Sequence, residues 1–166
     1  MTQFAYEFDK AQIGQIADSS NRTVDSYLAE EEIPFGVAVM AGTDFEKQVK
    51  KLTSLTFYLG FSVYSHVNVS KRELWGVTGV TQTIETNKYA INSSVSVLKR
   101  GRIFVATAEN VTPGQYAYLH ADGTLHNDPE AGVEKLRVGR YLTNGQALVV
   151  LDLYEPIIES NAGIIL

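Results

Sequence analysis

The chain has 166 residues, no cysteine, 45% apolar and 20% charged side chains, which is the length of one domain and the composition of an ordinary globular protein. The missing cysteine removes disulfide scaffolds, thiolate metal sites and cysteine nucleophiles together. The net charge of −5 resides in residues 1–32, where Glu7, Asp9, Asp18, Asp25, Glu30, Glu31 and Glu32 face only Lys10 and Arg22, and the remainder is neutral.

The first residues lack the charged and apolar regions of a secretory leader, and no window reaches the ~20 apolar residues of a membrane span. Nucleic acid calls for a clustered basic stripe. The nearest approach is Lys99, Arg100 and Arg102 around Gly101, which reads as a charged hairpin turn. Neither a membrane nor nucleic acid is therefore an expected partner.

Residues 1–32 show weak periodicity. Ile13, Ile16 and Ala17 allow one helical turn, and Val24, Tyr27, Leu28 and Glu31 allow a second behind Thr23 as cap. Nothing in this stretch builds a core, so it is expected to order only against its own body, a sister subunit or another protein. From Ile33 the pattern becomes β. Pro34–Met40 reads as a strand led in by proline. Thr43-Asp44-Phe45-Glu46 has capping-box spacing, which predicts a short helix over Asp44–Lys51, with a lysine-rich loop as the competing reading. Residues 55–69 read as strand with a bend at Gly60.

In the second half, Ser94–Val97 alternates strictly, and Lys99-Arg100-Gly101 is expected to turn the chain into Ile103–Ala106. Pro113-Gly114 marks another turn. A three-residue turn at Ala121-Asp122-Gly123 sets Leu119 opposite Leu125 on the buried face, whereas a two-residue turn would pair each leucine with a histidine; the first register is favoured. Asn144-Gly145 predicts a two-residue hairpin pairing Leu142 with Ala147, Val138 with Leu151, Leu136 with Leu153 and Arg137 with Asp152. The fold expected is mainly β, a small β-sandwich or barrel of β-roll or jelly-roll type. It divides into an acidic, extended N-terminal arm over 1–32, a body over 33–158 and a tail over 159–166.

No catalytic constellation emerges. Gly60-Phe61-Ser62-Val63-Tyr64 lacks the second glycine of a nucleophile elbow, and phosphate-loop, dinucleotide and His-Glu-x-x-His motifs are absent. His120, Asp122, His126 and Asp128 are the best metal candidates, but they read as polar residues on the wet face of a hairpin. Glu30, Glu31 and Glu32 point in different directions and read as a solvated or partner-facing run. Trp75 reads as core or interface. Neither cofactor nor metal is expected.

The order of segments resembles the structural cement, or capsid decoration, proteins of tailed bacteriophages. The residues that carry the likeness are Gly14–Asp18 followed by Thr23–Ser26, Ile33–Val39, Gly60–Val63, Tyr89, Val95–Val105, Val111–Gly114 and Asp122-Gly123; it spans about Gly14 to Leu153. Asp44–Ser54 and His66–Lys88 match no family feature. The resemblance implies a non-enzymatic virion protein, made in the bacterial host cytoplasm, that sits on the capsid exterior. It would bridge neighbouring major capsid proteins against the pressure of packaged DNA. It also implies self-association, a homotrimer before a dimer. An arm of this length spans up to ~100 Å if extended. Its expected anchors are Ile13, Ile16, Val24, Tyr27 and Leu28, with Asp18, Glu30, Glu31 and Glu32 as charged contacts, and its deletion is expected to leave a folded body. Two other readings stay open. One is a virion module that binds host surface or carbohydrate through Tyr58, Tyr64 or Trp75; the other is a small trimeric β-fold nucleotide hydrolase.

Overall fold

A computed structural model describes residues 11–65, 87–127 and 135–159. These form β1 (Ile16–Ala29), β2 (Ile33–Pro34), β3 (Ala38–Ala41), β4 (Gln48–Lys51), a 3-10 turn (Leu55–Phe57) and β5 (Tyr58–Ser62). There follow β6 (Lys88–Tyr89), β7 (Ser94–Val105), β8 (Tyr116–His120), β9 (Leu125–His126), β10 (Lys135–Tyr141) and β11 (Val149–Glu159). The architecture is mainly β, and the described residues contain no α-helix. Trp75 and Asp128, and most of the 159–166 tail, lie outside the described residues.

A nine-stranded sheet runs β1-β4-β3-β5-β7-β11-β10-β8-β9, and β2 pairs with β6 separately. β1 pairs again with β7, so β1, β4, β3, β5 and β7 close a circuit of hydrogen-bonded pairs. The weak periodicity allows two short helical stretches between Ile13 and Glu31 in an otherwise extended arm; the structure lays residues 16–29 along β7 as one long strand. The distant ladder partner explains the difference. Ile16, Thr23, Val24 and Tyr27 with interleaved serines are strand formers, and the decisive partner lies some seventy residues away.

β7 is continuous across Lys99-Arg100-Gly101, where a turn is expected. Thr23 stands opposite Arg100 but Val24 opposite Leu98, so Lys99 is the extra residue of a bulge. The bulge flips the buried face. Val95 and Val97 belong to one core with Ile33, Val39, Val49 and Tyr89, while Ile103 and Val105 belong to a larger one with Phe61, Leu119, Tyr141 and Leu151. The single strand is thus shared by both cores.

The helix predicted over Asp44–Lys51 is also replaced, by one turn and then β4. The backbone N–H and hydroxyl of Thr43 both donate to Glu30, at 2.8 and 2.7 Å, so Thr43 is diverted from capping. Asp44 accepts from the backbone N–H of Gln48, and Val49 then pairs with both β1 and β3. Of the proline-led strand predicted over Pro34–Met40, Phe35-Gly36 forms a turn and the strand resumes at Ala38. Gly60 sits at a register shift between β3 and β5, as the expected bend requires.

Two turns form as read from sequence. Gln115 donates to Thr112 across Pro113-Gly114, and Leu119 stands opposite Leu125, both buried. The Asn144-Gly145 hairpin does not form in its predicted register. Gly145 exchanges both backbone hydrogen bonds with Val111, which draws the pair away from closing β10 on β11. Arg140, not Arg137, therefore stands opposite Asp152, and Tyr141 opposite Leu151. A shift at Val138-Gly139 then sets Arg137 opposite Ile157.

Candidate partner-binding surface

β1 alternates along its length once past the irregular Ser19–Arg22. Asp25, Tyr27 and Ala29 turn toward the body, and Val24, Ser26 and Leu28 turn outward. Val24 and Leu28 remain 36% and 38% exposed on a strand held by β7 on one side and, at its end, by β4 on the other. Tyr27 packs against the smaller core with the Lys99 ammonium 5.4 Å from its ring centroid. Asp25 grips the same ammonium at 2.6 Å, a hydrogen bond that raises the Lys99 pKa.

The expected anchors therefore do not form one patch. Ile16 packs against the larger core, and Ile13 stands exposed in the turn before β1. Asp18 accepts from the backbone and hydroxyl of Ser20, which holds its carboxyl below the usual range, and it also meets Arg102 at 3.1 Å. The three consecutive glutamates reach three different places. Glu30 binds Thr43, Glu31 takes the Lys51 backbone N–H at 2.8 Å, and Glu32 meets Lys88 at 2.6 Å. They stitch the exit of β1 to the loops beside it while staying partly open to solvent.

The residues weighed for other chemistry are placed as follows. His120 and His126 share a face, with rings stacked 4.0 Å apart. The described residues contain no group of three or more side chains able to hold a metal. Tyr58 is packed against the larger core, where burial raises its pKa, and Tyr64 lies edge-on to Phe35 at 5.2 Å. Among these two and Trp75, no described exposed aromatic patch emerges. No helix among the described residues is long and apolar enough to cross a membrane.

Sequence reasoning missed two surface features. Phe45 and Phe57 stand 59% and 47% exposed with ring centroids 5.0 Å apart, joined from a loop and a 3-10 turn. Arg137 and Arg140 both lie 4.6 Å from the ring centroid of Tyr116. The only sequence signal for the second was three arginines and tyrosines recurring in adjacent strand-like runs; their convergence depends on the bulge at Val138-Gly139.

Over residues 1–154 the sequence matches the family described as Structural cement protein (E217 gp24/Pam3 gp6). No curated protein matches it. Among solved structures it is similar to the N base of head fiber gp8.5 in bacteriophage phi29, with 9% identity and a TM-score of 0.45, over 84% of this chain and 99% of that one. With the family match covering nearly its whole length, the chain belongs to the phage structural cement proteins and is a non-enzymatic structural protein of the virion.

Proposed function

We propose that this protein sits on the outside of the capsid, binds the major capsid protein and bridges neighbouring copies of it against the pressure of packaged DNA. Residues 1–32 supply the contact, the body over 33–158 supplies rigidity, and the circuit of strand pairs that β1 closes onto that body supports reading the two together as a small barrel. The observation that carries the proposal is the outward row of Val24, Ser26 and Leu28 on a strand clamped by its neighbours. Apolar side chains presented on an ordered strand can bind without a large loss of chain entropy. Glu31 and Glu32 are matched by Lys51 and Lys88, whereas Glu30, held by Thr43, adds negative charge beside that row, which favours a basic patch on the shell. Self-association as a homotrimer, with a dimer next, follows from the symmetry axes that decoration proteins occupy.

Because β1 closes the circuit, substitution is a cleaner test than deletion. The double variant Val24→Asp, Leu28→Asp alters only outward side chains and is expected to melt like the wild type. Cosedimentation with capsids prepared without this protein should fall by about tenfold or more. A folded double variant that decorates capsids as well as the wild type would overturn the assignment of this surface.

A further inference from the structure

Across five adjacent strands runs one row of directly opposite residues: Asp18 on β1, Arg102 on β7, Asp152 on β11, Arg140 on β10 and Tyr116 on β8. Arg102 lies 3.1 Å from Asp18 and 3.8 Å from Asp152, so both carboxylates of the row serve the same guanidinium. Arg140 donates to the phenol oxygen of Tyr116 at 2.7 Å, a neutral acceptor. The bulge at Val138-Gly139 brings Arg137 beside it, and the two guanidiniums bracket one ring. Beside the row, Arg100, Arg102, Asp152 and Tyr154 line a polar cleft of about 250 Å³ with Ser20 and Asn21. Tyr154 joins the two halves, since its hydroxyl donates to the Gly139 carbonyl on β10 at 3.2 Å.

Four of the chain's six arginines thus share one sheet face, on a protein whose net charge is −5. The lysines behave differently: Lys47, Lys51, Lys88 and Lys99 each meet an Asp or Glu within 4 Å. Arg100 has no carboxylate partner among the described residues, and Arg140 donates to a phenol. The Tyr116 ring, 4.6 Å from both Arg137 and Arg140, limits the rotamer freedom that binding would otherwise remove. Arginine and tyrosine are the side chains that anchor protein interfaces, where lysine is depleted.

We propose that this face, across β7, β11, β10 and β8, seats a carboxylate-rich surface of another protein. The inference rests on the reading of this chain as a capsid-binding protein and names the chemistry of a second contact, opposite in sign to the one offered by Glu30. Two contacts of opposite charge on one rigid body are what joining two neighbours requires. Asp152 stands between Arg102 and Arg140, Asp18 flanks Arg102, and both repel a continuous phosphate backbone, whereas discrete carboxylates can settle on the individual forks.

The test uses the full chain and capsids prepared without it. Arg100→Glu reverses an exposed charge that holds no carboxylate and is expected to leave the melting midpoint unchanged. Arg140→Gln, made separately, removes one fork and keeps a hydrogen-bond donor. Each should weaken capsid occupancy by about tenfold, and the wild type should lose affinity with added NaCl more steeply than either variant. Both variants binding like the wild type, with the same salt slope, would overturn this inference and leave the β1 contact standing. Wild-type protein that ignores capsids would overturn the capsid reading and this inference with it. Displacement of bound protein by a short DNA duplex, at concentrations where polyglutamate has no effect, would replace the carboxylate partner with nucleic acid.

Discussion

Replacing Gly139 by alanine probes how closely β10 and β11 approach at the bulge. An alanine Cβ there would lie 3.0 Å from the Asp152 carbonyl carbon and closer to its oxygen, with a Leu151 methyl at 3.1 Å. The obstruction is backbone in a paired strand, so no side-chain rotation relieves it. Overpacking of this kind costs about 3 kcal/mol. For a chain of this size each kcal/mol moves the midpoint by ~2–4 °C, so calorimetry or far-ultraviolet dichroism should show a fall of roughly 6–12 °C. Gly114→Ala is the control for backbone conformation alone. Gly114 has φ +90° and nothing within 4 Å of an added Cβ, so alanine there bears only the left-handed penalty of ~1 kcal/mol. Gly139 is not among the positive-φ residues, so its loss is steric. A Gly139→Ala midpoint no lower than that of Gly114→Ala would refute the close approach and the register built on it.

Hydrogen bonds from Thr43 hold the Glu30 carboxyl below its usual value of 4.5, so its contribution to stability is present at neutral pH and lost as pH falls through the depressed folded value. Glu30→Gln should therefore flatten the decline of the midpoint below about pH 4.5, measured as melts from pH 7 to 2.5; an unchanged acid limb would exclude the Glu30–Thr43 link as its source. At the alkaline end, burial raises the Tyr58 and Tyr141 hydroxyls well above 10. Stability from these groups is complete below the unfolded value near 10 and lost as pH rises beyond it. Absorbance titration at the phenolate band should show both silent until the protein unfolds, with Tyr58→Phe and Tyr141→Phe leaving the native titration amplitude unchanged; a native amplitude reduced by either substitution would contradict its burial.

The mainly β character was legible from alternation and glycine punctuation, and the Leu119–Leu125 register from one choice of buried face. Register failed where a turn pair had a competing long-range use. Asn144-Gly145 is a strong hairpin signal, but its backbone bonds go to Val111, thirty-odd residues upstream. Thr43 failed likewise: capping spacing is local, whereas Glu30, which takes its donors, arrives from another strand. β1 was illegible as a strand because half its residues are polar and its ladder partner is β7. The arginine–tyrosine face needed the alignment of β10 with both β11 and β8 across the Val138-Gly139 bulge, neither visible in a window of ten residues. The outward direction of Val24 and Leu28 likewise required knowing which face β7 would cover.

β7 has a mechanical consequence for a structural protein of the virion. Val95 and Val97 in its first half line one core, and Leu98, Ile103 and Val105, on either side of the Lys99 bulge, line the other. Neither core can loosen without tugging the strand that the other depends on, so the two yield together. A pull delivered through β1 is borne by hydrogen bonds along most of the length of β7, loaded in shear and sharing the force. Force entering through β1 is thus passed into both cores at once, with little give in the body itself.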